Sequence, residues 1–103
     1  MGYKKAMEYE IHMTEKFQKW LKSLRDRQAV KAIALRLTRA ETGNFGDVKP
    51  VGGGVNEMRI FIGKGYRVYF TIRAKKIILL LCGGDKSSQS RDIETAQNMN
   101  AKG

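Results

Sequence analysis

Two arginines, Arg59 and Arg67, occupy two runs of alternating apolar and polar residues that are typical of β-strands. The connection between the runs, Gly63-Lys64-Gly65, suits a hairpin turn because glycine adopts positive φ without steric cost. Side chains alternate between the two faces of a strand, so the odd-numbered residues share one face. Those residues are Glu57, Arg59, Phe61, Arg67, Tyr69, Thr71 and Arg73. They predict a basic and aromatic surface.

Closure of the turn by Ile62 and Tyr66 predicts pairing of residue 61 with 67, 59 with 69 and 57 with 71, which makes Arg59 and Arg67 diagonal neighbours. Two guanidinium groups that close repel each other unless an anion binds between them. A phosphate diester accepts the forked hydrogen bonds of arginine. The pattern therefore predicts a phosphate-binding pair; the alternative is that solvent-facing strands simply carry arginine.

A nucleotide-binding loop is a different interpretation of the same glycines, and the spacing excludes it. The P-loop pattern is G-x-x-x-x-G-K followed by Ser or Thr. With Gly63 and Lys64 as its G-K pair, the first glycine is replaced by Met58 and the Ser or Thr by Gly65. The dinucleotide pattern G-x-G-x-x-G fails at Val68. The Gly63-Lys64-Gly65 connection also precedes a predicted strand and not a helix, so no helix N-terminus is available there to receive a phosphate.

The composition indicates a polyanionic partner. Twenty Lys and Arg against ten Asp and Glu give a formal charge of +10. A small domain with that charge repels itself, so nucleic acid is the leading partner class, ahead of an acidic protein or a merely soluble basic surface. One cysteine, Cys82, excludes an internal disulfide, and a single histidine, His12, leaves no credible transition-metal site. We expect neither a metal nor a cofactor.

We predict one domain spanning residues 1–103, because a chain of 103 residues supports a single hydrophobic core. No signal peptide is recognisable, and no apolar stretch approaches the roughly 20 residues of a transmembrane helix. We therefore expect a cytoplasmic protein that does not associate with a membrane. The sequence leaves its oligomeric state open.

The N-terminal half predicts a strand over residues 3–12 followed by a helical hairpin. Thr14 is placed to cap the first helix and Asp26 the second, which ends at Gly43. Each helix carries one apolar stripe at positions i, i+3, i+4 and i+7. The stripes are Phe17, Trp20, Leu21 and Leu24, then Val30, Ile33, Ala34 and Leu37.

The C-terminal half predicts an antiparallel meander. Residues 43–56 contain five glycines and the only proline, so they form a loop with at most a short strand. Three strands follow at residues 57–62, 66–73 and 77–82, and a short polar helix follows those. The fold class is α/β in two layers: an N-terminal strand, a helical hairpin packed on a mostly antiparallel sheet, and a short C-terminal helix.

The apolar run "IILLL", residues 77–81, buries both faces of its strand. One face packs on the helical hairpin. The other face carries Ile77, Leu79 and Leu81 and needs cover from the C-terminal helix or from a partner.

Three segments, "GDVKPVGGGVNEMRI", "GKGYRVYF" and "LLLCGGDKSSQSRDIETA", resemble the RelE/ParE superfamily of toxins from bacterial toxin-antitoxin modules, in particular the HigB-like "addiction module killer" group. The resemblance extends from Phe17 to Ala96. It implies an endoribonuclease that cuts mRNA, commonly on the ribosome. It also implies a cognate antitoxin of helix-turn-helix type that holds the toxin inactive.

The resemblance assigns roles to individual residues. Arg67, in the "YR" that starts its strand, is expected to contact the scissile phosphate, and Arg59 to help bind RNA. Lys49, Asp85 and Lys86 are expected to line the same groove. Nine Lys or Arg and two acidic residues lie between Lys49 and Arg91. From this basic set we expect RNA contacts by Lys49, Lys64, Arg73 and Arg91.

The proton-transfer groups are the weakest part of the resemblance. Related RNases often place His or Tyr near the C-terminus, and neither follows Lys86 here. His12 is expected to be structural, which leaves Glu57, Tyr69 and Asp85 as candidates. Two alternatives therefore stay open: a ParE-like inhibitor of DNA gyrase, and a nucleic-acid-binding module without catalysis.

Overall fold

The computed structural model describes residues 8–103. It contains, in chain order, β1 (Glu10–Met13), α1 (Glu15–Ser23), α2 (Arg27–Ala40), β2 (Val48–Gly52), β3 (Val55–Ile60), β4 (Tyr66–Arg73), β5 (Ile77–Asp85), a 3-10 turn (Lys86–Ser88) and α3 (Gln89–Lys102). The predicted first strand, residues 3–12, lies partly outside the described residues.

The strands form one sheet in the order β1-β5-β4-β3-β2. β1 pairs with β5 in parallel, and every other pair is antiparallel. This confirms the predicted mixed α and β fold with a mostly antiparallel sheet. The short strand expected within residues 43–56 is β2, and β3 begins at Val55, two residues before the predicted start.

The helical hairpin begins at the two predicted caps. Thr14 Oγ1 accepts a hydrogen bond from the Phe17 N–H at 3.0 Å, and Asp26 Oδ1 accepts one from the Ala29 N–H at 3.1 Å. Each cap satisfies a backbone donor that has no partner inside the helix. The hairpin covers one face of the sheet with a core that includes Phe17, Ile33, Leu37, Met58, Val68, Phe70 and Leu80.

The helix α3 covers the other face of the sheet. Its Ala96 packs in a second buried cluster with Val55, Tyr69, Leu81 and Cys82. Arg73 holds the far end of α3 by donating to Asn100 Oδ1 at 3.0 Å and to the Gly103 carbonyl at 2.9 Å. Of the two covers expected for the "IILLL" strand, the C-terminal helix is the one present.

The register between β3 and β4 differs from the predicted one by two residues. Arg59 pairs with Arg67, and Glu57 pairs with Tyr69. The connection spans residues 61–65 because Ile60, rather than Ile62, is the last paired residue before Tyr66. A shift of two preserves the parity of a strand, so the predicted faces stand while the predicted pairs were wrong. Arg59 and Arg67 are direct neighbours.

A bulge in β5 changes which side chains share a face. Phe70 pairs with Leu80 and Tyr69 pairs with Cys82, so Leu81 is an extra residue in the strand. Beyond the bulge Gly84 lies opposite Arg67, and Asp85 lies opposite Tyr66. Asp85 is therefore on the hairpin face, contrary to the expectation that it lines a groove with Arg67.

Cys82 provides a test of how firmly α3 is docked. Its thiol donates to the Asp92 carbonyl at 3.7 Å, and burial raises its pKa to about 11. A thiolate is the reactive form, so a rise from 9.0 to about 11 lowers its population about a hundredfold at pH 8. We expect alkylation by iodoacetamide to be at least about a hundredfold slower than in the urea-unfolded chain. Equal rates in the folded and unfolded chains would show that α3 opens freely.

Candidate nucleic-acid interface

Arg59 is the accessible member of the arginine pair. Its Nη2 and Nε donate to Asp47 Oδ1 at 2.8 Å and 3.3 Å. Its guanidinium carbon lies 5.6 Å from the centre of the exposed Phe61 ring, where the electron-rich ring face attracts a cation. These contacts orient Arg59 while 32% of its side chain stays exposed.

Arg36, on α2, supports this arrangement through hydrogen bonds to three backbone carbonyls. Its Nη1 donates to the Arg59 carbonyl at 2.6 Å, and its Nη2 donates to the carbonyls of Phe45 and Asp47 at 3.0 Å and 3.3 Å. Burial lowers the pKa of Arg36, and the Asp47 carboxylate opposes that shift. One guanidinium thus ties the loop that carries Asp47 to the end of β3.

Arg67 lies directly opposite Arg59, but only 9% of its side chain is exposed. Its Nε is 3.9 Å from Glu57 Oε2. Neither Nε nor Nη1 has a hydrogen-bond partner within the described chain, although both atoms are buried. Buried donors without partners are destabilising, and donors on a cation are the most so. Arg67 therefore has two donors without acceptors among the described residues, and both are covered in this structure.

Glu57 supplies the negative charge beside Arg67. It is fully buried, and its Oε2 accepts hydrogen bonds from the Tyr69 hydroxyl at 3.1 Å and from Gln89 Nε2 at 2.8 Å. Oε1 has no partner in the described part of the chain. The charges of Glu57 and Arg67 therefore compensate each other in a buried site, and removal of either one would leave an uncompensated buried charge.

The Tyr69 hydroxyl donates a hydrogen bond to the Glu57 carboxylate. The Tyr69 side chain is fully buried; burial, followed by the nearby Glu57 carboxylate, raises the pKa of Tyr69. Both effects oppose the phenolate form. Tyr69 thus holds Glu57 in place, and its hydroxyl is not presented at the surface.

The N-terminal end of α3 covers Arg67 on the sheet face opposite the helical hairpin. Gln89, the first residue of α3, reaches Glu57, and the Ser88 hydroxyl donates to the Asp92 carboxylate over Gly84. A Cβ atom at position 84 would lie 2.8 Å from Asp92 Cγ, so a larger residue there would displace the Asp92 side chain. The site is therefore a buried cluster with one exposed arginine at its side.

A sequence model of one family, described as phage derived protein Gp49-like, matches residues 19–100. The chain belongs to this family.

The Gp49-like chain is also similar to a second protein in sequence and to a solved structure in fold. An uncharacterized protein of Haemophilus influenzae is 44% identical over 91 residues, which cover 88% of this chain and 92% of the relative. A chain of the toxin-antitoxin complex RelBE2 from Mycobacterium tuberculosis superposes with a TM-score of 0.61 at 17% identity, over 78% of this chain and all of that chain. The family match and the shared fold confirm the predicted resemblance to the RelE superfamily.

The fold brings five of the predicted basic residues to one end of the Gp49-like chain. Lys49 is exposed opposite Glu57, on the same face as Arg59 and Arg67. Lys64 and Lys86 are exposed at the end of the sheet, where the Lys86 N–H donates to the Lys64 carbonyl at 3.4 Å.

Other predicted residues lie apart from this group. Arg73 is at the opposite end of β4, where it holds α3. Arg91 is exposed about 140° around α3 from the buried Ala96, on the outward side of the helix. Asp85 faces the hairpin side, and its carboxylate accepts from the Ser87 N–H and hydroxyl, which lowers the pKa of Asp85. His12 is exposed on the edge strand β1 and contacts Glu10.

Three supporting residues of the Gp49-like site were missed in the sequence: Arg36, Asp47 and Gln89. Arg36 had a recognisable signal, because it follows the buried Ile33 by three positions and precedes the buried Ala40 by four. A cation on the apolar stripe of a helix requires buried acceptors. Asp47 and Gln89 had no comparable signal.

Across residues 8–103, no helix has the length and apolar character needed to cross a membrane.

Proposed function

We propose that this Gp49-like chain is the toxin of a toxin-antitoxin module and inhibits growth by cleaving mRNA. The observation that carries the proposal is the pair of Arg59 and Arg67, with two buried nitrogens of Arg67 left without partners. Phosphate oxygens supply the missing acceptors once the start of α3, which covers Arg67, moves aside. The fold shared with a chain of the RelBE2 toxin-antitoxin complex supports the same conclusion.

The proposed chemistry is attack of a ribose 2′-OH on the adjacent phosphate. The 2′-oxygen loses its proton and bonds to phosphorus, giving a 2′,3′-cyclic phosphate, while the bond to the 5′-oxygen of the next nucleotide breaks and that oxygen takes up a proton. Negative charge develops on the phosphoryl oxygens, and arginines already held in place stabilise it by about 3 kcal/mol each. Glu57 orients Arg67, and Asp47 with Phe61 orients Arg59. Lys49, Lys64 and Lys86 bind the flanking phosphates by charge.

The proposed partners follow from the same resemblance. A helix-turn-helix antitoxin neutralises the toxin, and the formal charge of +10 favours an acidic antitoxin surface. The mRNA substrate is engaged on the ribosome, where single-stranded codons are accessible.

The test is induction of the chain in a bacterial host without antitoxin, followed by mapping of RNA 5′ ends. We expect new ends clustered within translated codons. Arg59→Ala should lower their abundance about a hundredfold, because it removes one of the two phosphate ligands. Arg39→Ala is the matched control, since it removes an exposed arginine from the last turn of α2. Intact transcripts with an induced DNA-damage response would instead identify gyrase as the target.

Binding without cleavage is a second candidate, and one observation favours it. The Tyr69 hydroxyl, one of three candidate proton-transfer groups, is buried and donates to Glu57. Under this alternative the purified chain retains an RNA oligonucleotide with strong salt dependence and leaves it uncut.

A further inference from the structure

A cavity of about 510 Å³ lies on the hairpin side of the sheet, at the same end as the arginine pair. Its walls come from the connection between α1 and α2, the turn between β3 and β4, and the end of β5. Tyr66 lines it, and Tyr66 immediately precedes Arg67 on β4. The cavity and Arg67 are thus on opposite faces of the same strand end.

The walls of the cavity combine aromatic, basic and acidic side chains. Trp20 and Tyr66 offer aromatic surface, and Arg25 and Lys64 offer positive charge. Asp85 offers a carboxylate, which the bulge at Leu81 turns to this face. Oδ1 of Asp85 accepts from Ser87, whereas Oδ2 receives no hydrogen bond from the described residues. Asp26 is already used, because its Oδ1 caps α2 and its carboxylate also interacts with the Tyr66 hydroxyl.

This combination matches a nucleotide better than it matches other ligands. A cationic side chain of a partner is repelled by Arg25 and Lys64, and a lone phosphate is repelled by Asp26 and Asp85. A nucleotide joins a neutral base with N–H donors to an anionic phosphate. Bases of single-stranded RNA are commonly bound by stacking on aromatic side chains and by hydrogen bonds to their Watson–Crick edges.

Guanine fits the free carboxylate oxygen best among the four bases. Its Watson–Crick edge presents two adjacent N–H donors, from N1 and N2, and a carboxylate is an acceptor-only group. Adenine, cytosine and uracil each present a single donor position on that edge. We propose that this cavity is a guanine-binding pocket, with Asp85 accepting from the base and Trp20 stacking on it.

The position of the pocket links it to the proposed cleavage. Lys64 lines the cavity, and Lys86, whose N–H donates to the Lys64 carbonyl, lies beside it at the same end of the sheet. An RNA strand that crosses this end places a base in the cavity and a neighbouring phosphate at Arg59. The inference therefore rests on the proposed function, and it names the base that the site selects beside the bond to be cut.

Trp20 makes the pocket directly observable, because the chain has one tryptophan and so gives one indole N–H resonance. We propose titrating the ¹⁵N-labelled full chain with 3′-GMP, 3′-AMP, 3′-CMP and 3′-UMP. The indole resonance should shift with 3′-GMP at a concentration at least about tenfold below that needed for the others.

Asp85→Asn tests the named acceptor. Asparagine keeps an oxygen for the Ser87 N–H and so preserves the cap of the 3-10 turn, but it turns an N–H₂ donor toward the guanine donors. The preference for 3′-GMP should fall to within about threefold of the other nucleotides. Glu94→Gln, which removes an exposed carboxylate on α3, is the matched control and should retain the preference.

The outcomes separate this inference from the proposed function. Equal shifts by all four nucleotides in the wild-type chain overturn the pocket, as does an unchanged preference in Asp85→Asn. A resonance that moves only with the cognate antitoxin overturns it too, since the cavity is then a protein-binding surface. A preference for 3′-GMP in a chain that cuts no RNA supports the pocket and refutes the nuclease.

Discussion

Arg67→Ala is expected to abolish growth inhibition and to lower the free energy of unfolding by about 3–5 kcal/mol. The first effect follows because Arg67 carries the buried donors proposed to bind the phosphate. The second follows because Glu57, which is fully buried, loses the cation that compensates its charge. Urea denaturation and colony formation after induction measure the two effects.

Two companion variants separate catalysis from stability. Arg67→Lys keeps a positive charge beside Glu57 but lacks the planar fork of donors, so it should retain most of the stability and lose about a hundredfold in cleavage. The double variant Arg67→Met with Glu57→Gln removes both charges and should regain stability without regaining toxicity. A well-folded double variant that still inhibits growth would contradict the role of Arg67.

Gly83→Ala is expected to destabilise the chain by about 1–3 kcal/mol or more and to displace Trp20. A Cβ at this position would lie closer than 3.0 Å to three carbons of the Trp20 indole. The backbone of Gly83 has no positive φ, so the effect is steric and not conformational. Because Trp20 also lines the guanine pocket, the indole resonance should move even without nucleotide.

Gly84→Ala is the matched comparison for this effect. The obstacle at position 84 is the end of the Asp92 side chain, which can rotate away, whereas the indole ring at position 83 cannot. The loss of stability should therefore be smaller for Gly84→Ala. If the two substitutions cost the same, or if Gly84→Ala costs more, the packing of Trp20 on Gly83 is not the controlling contact. Urea midpoints of the two variants decide the order.

The local elements were predictable because their causes are local. Thr14 and Asp26 cap the helices that follow them, and each cap involves a backbone N–H only three residues away. The shared face of Arg59 and Arg67 was also predictable, since parity along a strand survives the shift of two residues in the pairing. The sequence by itself therefore determined the helices, most of the strands and the arginine face.

Only the tertiary structure decided how that face is used. The exact pairing in the β3–β4 hairpin depends on where the turn closes, and the position of Asp85 depends on one extra residue in β5. The burial of Arg67 depends on α3, whose Gln89 reaches Glu57 from 32 residues away. Contacts at such sequence separations arise from the packing of whole elements against each other, and no local pattern of residue types encodes their geometry.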